Sequence, residues 1–199
     1  SETIVFTGTE TLTKISVRQD YGTTTKFYDK EIQKVGNECG TNVWYLLLEE
    51  NTYLYIYGNG QMQNFASVEN QPWKETRETI SKIRIDETKS IGDYAFNSFK
   101  FSSYPIPQSI TVLGKYSFSN CDSLTQIVLH DEITSIGEGV FEGCNLLSSI
   151  SFGNKITSIP NKAFENCISI ENIQILNTIK TIGSNAFKGC SGVSKITIP

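Results

Sequence analysis

Leu113-Gly-Lys-Tyr-Ser-Phe-Ser-Asn-Cys121 returns as Ile136-Gly-Glu-Gly-Val-Phe-Glu-Gly-Cys144, Ile159-Pro-Asn-Lys-Ala-Phe-Glu-Asn-Cys167 and Ile182-Gly-Ser-Asn-Ala-Phe-Lys-Gly-Cys190. Each phrase begins 23 residues after the one before. Between the phrases run matching apolar series: Leu124, Leu147, Ile170, Val193; Ile127, Ile150, Ile173, Ile196; Leu129, Phe152, Ile175, Ile198; and Ile133, Ile156, Ile179. A single unit of this length has no partner for its apolar face, so it buries those residues only between neighbouring copies. The expected architecture is a solenoid whose core is made by stacking.

Within one unit, Leu124, Ile127 and Leu129 fall on one side of an extended segment, and Gln126, Val128 and His130 on the other. The first set is expected inside and the second on the surface. Phe96, Phe118, Phe141, Phe164 and Phe187 recur at one position and are expected to stack as a spine. The spacing around them predicts a short helical turn carrying Val140 and Phe141. Gly92, Gly114, Gly137 and Gly183 share a position with Pro160. Because proline cannot take positive φ, that position is expected to open the helical turn, where the missing N–H needs no partner.

These phrases resemble the BspA-like leucine-rich repeat family, whose unit is approximately L-x-x-I-x-I-P-x-x-V-x-x-I-G-x-x-A-F-x-x-C. The resemblance covers residues 80 to 199 directly. It implies an α/β-type, right-handed leucine-rich repeat solenoid of short strands and short helical turns. It also implies a secreted or cell-surface protein of bacteria or anaerobic protists, active in adhesion to host proteins and cells. Trp44, Leu46, Leu54, Ile56, Gly58, Gly60 and Met62 fit the family's flanking phrase, which implies an N-terminal cap over the first unit.

In chain order, residues 1–79 are expected to form a β-rich N-terminal region and cap, and 80–199 about five rungs. Ile4 and Phe6, then Leu12, Ile15 and Val17, read as strand and allow a degenerate rung, with Ile32, Val35 and Gly36 echoing its second half. Val43 to Leu48 and Tyr53 to Tyr57, separated by Glu49-Glu50-Asn51-Thr52, read as a hairpin. The first rungs, at Ile80, Ile83, Ile85 and Phe96 and at Phe101, Tyr104, Ile106 and Ile110, are each shorter than the later period somewhere, as terminal repeats often are. The chain stops after the strand phrase Lys195-Ile196-Thr197-Ile198-Pro199. A fragment of a longer array is expected, with an open edge that frays or pairs with another molecule.

A net charge of −4 disfavours phosphate-backbone binding, and no apolar run approaches the roughly 20 residues of a membrane span. No Asn-x-Ser/Thr sequon occurs. Cys121, Cys144, Cys167 and Cys190 contain no C-x-x-C pair, so buried reduced core thiols are the first expectation and disulfides between adjacent rungs the second. Cys39 is left over by arithmetic and is expected to be the most accessible thiol. One histidine, no nucleophile elbow and no P-loop argue against an enzyme, and no cofactor or metal is expected. The candidate protein-binding residues are the outward strand positions Gln126, Val128, Ser149, Ser151, Asn172, Gln174, Lys195 and Thr197, with Arg84 at the first rung. Tyr53, Tyr55 and Tyr57 join them, since tyrosine is favoured at binding surfaces, with packing against residues 1–36 as the alternative reading of these three. A spacer that holds another domain away from the cell is the alternative role.

Overall fold

The computed structural model describes the backbone of residues 2–5, 14–21, 24–31, 37–48 and 51–199, with side chains in the last two ranges. Strands β1 (Glu2–Val5), β2 (Lys14–Tyr21) and β3 (Thr24–Glu31) form an antiparallel sheet in the order β1-β2-β3. Rungs of a solenoid pair in parallel, so the degenerate rung expected around Ile15 and Val17 is replaced by an antiparallel meander. Phe6, Leu12, Ile32, Val35 and Gly36 lie outside the described residues.

From β4 (Asn37–Thr41) onward the chain builds two ladders. One contains β6 (Tyr53–Tyr57), β8 (Lys82–Asp86), β11 (Gln126–Val128), β13 (Ser149–Ser151), β15 (Asn172–Gln174) and β17 (Lys195–Thr197). The other contains β7 (Gln61–Met62), β9 (Ser90–Ile91), β10 (Val112–Leu113), β12 (Ser135–Ile136), β14 (Ser158–Ile159) and β16 (Thr181–Ile182). Where rungs pair, the pairing is parallel and in register, with Leu54 beside Ile83, Ile127 beside Ile150 and Ile173 beside Ile196, while β13 and β15, and β12 and β14, lie in contact without a regular ladder. The 23-residue repeat thus returns each side chain to the same place one strand further on. The ladder crosses residue 80 without a break, because β6 pairs with β8.

β5 (Val43–Leu48) pairs antiparallel with β6, with Trp44 opposite Tyr57 and Leu48 opposite Tyr53. This is the expected hairpin. β4 continues from it and pairs antiparallel with β7, so the β4–β5 ribbon closes the N-terminal end of both ladders. Period-2 alternation sends Val43, Tyr45 and Leu47 into the main core and Leu46 and Leu48 to a second cluster with Tyr55.

The third side of each rung contains no α-helix among the described residues; the one helical segment is a single 3-10 turn, Val68–Asn70. This corrects the expected helical turns, and the reason lies in the backbone. Tyr94, Tyr116, Gly139, Lys162 and Asn185 all have positive φ, as do Ser98, Asn120, Gly143, Asn166 and Gly189 four residues later. Successive tight turns replace a helix, and their N–H groups alternate in direction. Val140 donates to Gly137 within its own rung (3.3 Å), whereas Gly139 and Phe141 donate to Asn161 and Ala163 of the next (3.0 and 2.9 Å). A helix would keep every bond internal; this arrangement spends half of them on joining rungs. The position of Pro160 is corrected with it. Gly114 and Gly183 donate their N–H to Ile91 and Ile159 of the preceding rung at 2.8 Å, so Pro160 forgoes one bond between rungs.

The spine is present. Phe118, Phe141 and Phe164 are buried, and ring centroids from Phe96 to Phe187 follow one another at 5.4 to 5.6 Å. The repeat cysteines are free thiols that bind one rung back: Cys121, Cys144, Cys167 and Cys190 Sγ donate to the carbonyls of Phe96, Phe118, Phe141 and Phe164 at 3.1 to 3.2 Å. Burial raises the pKa of the Cys167 thiol and holds it protonated, which keeps it a donor. Hydroxyls reinforce the rungs in the same way. Thr125 and Ser148 each place both N–H and Oγ on the carbonyl 23 residues back, using both of its lone pairs.

The first rung has no repeat turn before it, and two side chains and one backbone N–H supply the missing donors. Later carbonyls equivalent to Asp93, Ala95 and Asn97 accept backbone N–H groups from the preceding rung. Here they accept from Phe65 N–H (3.1 Å), Trp73 Nε1–H (2.8 Å) and Gln71 Nε2–H (3.4 Å). Trp73 is buried and stacks on Phe96 at 6.0 Å, which continues the spine by one ring. At the other end, Ile182, Ile196 and Ile198 are exposed. Cys39 reverses its expectation: it is 0% exposed, and burial lifts its thiol to about 12.

Candidate binding face

The strand ladder that contains β8, β11, β13, β15 and β17 presents one side chain in two outward. Gln126, Val128, Ser149, Ser151, Asn172, Gln174, Lys195 and Thr197 are all exposed, in two rows that follow the pairing register. Ser149, Asn172, Gln174, Lys195 and Thr197 line one polar depression of about 580 Å³, together with Glu171. β11 pairs with β13 and β15 with β17, but β13 and β15 are not paired, and the depression follows the gap between these two strand pairs.

The tyrosines of β6 behave differently. Tyr55 is 3% exposed, its hydroxyl donates to Asp86 Oδ2 at 2.9 Å, and its ring lies 5.9 Å from the Arg84 guanidinium carbon. Arg84 Nε in turn binds both Asp86 oxygens at 3.0 Å. Burial, with the Asp86 bond second, pushes the Tyr55 phenol upward. Tyr53 and Tyr57 are half-buried beside it, and Tyr57 stacks on Trp44 at 5.9 Å. Of the two readings of the tyrosine stripe, packing is the one these contacts support, here against β5 and β8, and the same pairing commits Arg84.

Rung two carries a feature that the sequence reading passed over. Its strand phrase is Ser103-Tyr104-Pro105-Ile106-Pro107, and only Ser103 bridges to Gln126. Proline brings no N–H to a ladder, so the strand loses its regular pairing there. A cleft of about 400 Å³ follows, lined by Tyr104, Pro105, Ile106, Gln126, Val128 and His130 among others. Val128 is 59% exposed in it. His130 spans the gap: Nε2–H donates to Pro107 O at 3.0 Å and Nδ1 accepts from Glu132 N–H at 3.3 Å. On the far side of Pro105 a second cleft of about 320 Å³ is lined by Tyr53, Lys82, Ile83 and Phe101. The two prolines were the signal available in the sequence.

Among the described residues no group of three or more His, Cys, Asp or Glu is placed to hold a metal ion, and no helix is long and apolar enough to cross a membrane.

The solved structures similar to this chain share its fold at low identity. A leucine-rich repeat protein from Bacteroides ovatus has TM-score 0.58 and 18% identity over 80% of this chain and 52% of its own. The leucine-rich repeat protein of T. pallidum has TM-score 0.57 and 18% identity over 77% of this chain and 78% of its own. The pneumococcal vaccine antigen PcpA has TM-score 0.52 and 18% identity over 78% of this chain and 47% of its own. The chain spans about half the length of the Bacteroides ovatus protein. No curated protein matches it. Residues 67–199 match the BspA type leucine rich repeat region in six copies, which covers the spine, the thiol ladder and the whole outward face. The chain belongs to the BspA type leucine-rich repeat family.

Proposed function

We propose that the chain is a non-catalytic binding module of a cell-surface or secreted protein, and that it contacts host proteins or extracellular matrix through the strand ladder face. The observation that carries this reading is the face itself: in-register rows of exposed side chains on a rigid ladder, interrupted by an apolar cleft at rungs two and three. Repeat proteins use such surfaces for large partners, because the stacked strands fix many side chains in one array. Membership in the BspA type family, whose resemblance implies secreted or surface proteins, supports the location. The experiment is biolayer interferometry of the chain against a panel of purified matrix and epithelial surface proteins, with heat-denatured chain as control. Saturable binding to at least one panel protein by the native chain alone is the expected result. Equal responses from native and denatured chain would assign the array to a spacer role.

A further inference from the structure

The ladder face carries an uncompensated cation at rung one. The chain carries a net charge of −4, yet the outward strand positions hold Lys82, Arg84 and Lys195 against Asp86 alone. Arg84 and Asp86 neutralise one another. Lys82 and Lys195 are exposed and have no ion-pair partner among the described residues. Glu171 lines the same depression as Lys195, whereas no acid lines the cleft that holds Lys82, so Lys82 is the uncompensated cation of the face. A carboxylate of a partner is thus attracted to the rung-one end of the ladder face, at Lys82.

We propose that rungs one to three bind an extended acidic segment of a partner protein, with an apolar side chain seated between Pro105 and Val128 and a carboxylate on Lys82. The proposal rests on the ladder face being the binding surface. The apolar half comes from the cleft that Tyr104, Pro105, Ile106 and Val128 line. Val128 is 59% exposed in a row that continues with Ser151, Gln174 and Thr197, so the apolar character is local to this place. The acidic half comes from Lys82, which lines the adjoining cleft across Pro105. Rungs one and three are two strand spacings apart, about 10 Å, which an extended chain covers in about three residues. The recognised pattern is therefore an apolar residue with Asp or Glu about three positions away.

The test uses the whole chain and fluorescein-labelled nine-residue peptides read by anisotropy: one with a central leucine and glutamates three positions to either side, one with those glutamates changed to lysine, one with the leucine changed to serine. The glutamate–leucine peptide is expected to bind at least tenfold more tightly than either of the others. Lys82→Glu is expected to reverse the preference between glutamate and lysine peptides, and Val128→Glu to remove binding of the leucine peptide. Both positions face solvent, and Lys82→Gln provides a milder second variant. Equal or tighter binding of the lysine peptide to the unaltered chain would overturn the proposal, as would affinity indifferent to both Lys82→Glu and Val128→Glu. Absence of binding by the glutamate–leucine peptide at millimolar concentration would do the same. Binding of heparin fragments to the same face without sensitivity to Val128→Glu would replace a peptide by a general polyanion. In each of these cases a panel protein still captured by the native chain leaves the binding-module reading standing.

Discussion

Trp73 Nε1–H lies 2.8 Å from the carbonyl oxygen of Ala95 and fills the place that a spine phenylalanine's backbone N–H fills in every later rung. The indole does two things a phenylalanine side chain cannot do together: it stacks on Phe96 and it donates. Trp73→Phe keeps the ring and leaves the Ala95 carbonyl buried without its donor, which should cost about 1–3 kcal/mol in urea unfolding. Trp73→Ala should cost about 3–5 kcal/mol by opening a cavity as well. A loss for Trp73→Phe that cannot be measured would show that the carbonyl finds another donor and that the cap does not depend on this bond.

Phe141 is fully buried, with Phe118 and Phe164 at 5.6 and 5.5 Å on either side. Phe141→Ala should lower stability by about 3–5 kcal/mol. Hydrogen exchange should quicken in both neighbouring rungs, since the lost ring belongs to two interfaces. A change below about 1 kcal/mol, or one confined to a single side, would contradict a shared spine.

Cys39 is buried with its thiol raised from an ordinary value near 9.0 to about 12. In that interval the unfolded chain has released the proton and the folded chain has not, so folded stability falls as pH rises from about 9 to about 12. Cys39→Ala should remove this part of the alkaline slope. In native labelling at neutral pH, Cys190, which is half-buried, should react first, and Cys39, Cys121, Cys144 and Cys167 only at the rate of opening. Early modification of Cys39 would place it outside the core.

The repeat, the spine, the inward and outward strand positions and the hairpin of β5 and β6 were legible in the sequence because each depends on periodicity alone. The turns were not. Positive φ at Tyr94, Tyr116 and Lys162 is imposed by bonds to the neighbouring rung, and nothing in those residue types announces it. Even at Gly139, where φ is 58° and a Cβ would lie 2.2 Å from the Tyr116 ring, the requirement shows only once the neighbouring rung is in place. Cys39 was misplaced because counting unpaired cysteines says nothing about burial. The tyrosines of β6 were read from one strand, whereas their packing is decided by Asp86 and Arg84 of the next. The cleft at Pro105 was missed for a related reason, since it exists only between two rungs.

In the last rung Ile196 is 55% exposed where its counterparts Ile127 and Ile173 are buried, and Val193 is half-buried where Leu147 is fully buried. Amide exchange over residues 193–198 should therefore be faster than over 147–152 in dilute chain. Equal protection would mean that this rung needs no neighbour.

The measurement closest to the central claim compares two pairs of substitutions on one panel protein. Gln126→Arg with Asn172→Arg alters the ladder face, and Asn154→Arg with Asn177→Arg adds the same charge at exposed turn positions. Both double variants should melt within a few degrees of the parent chain, because surface substitutions usually change stability by less than about 0.5 kcal/mol each. The ladder pair should weaken binding at least tenfold and the turn pair less than twofold. Loss of binding in the turn pair, with the ladder pair unaffected, would place the binding surface on the other side of the solenoid.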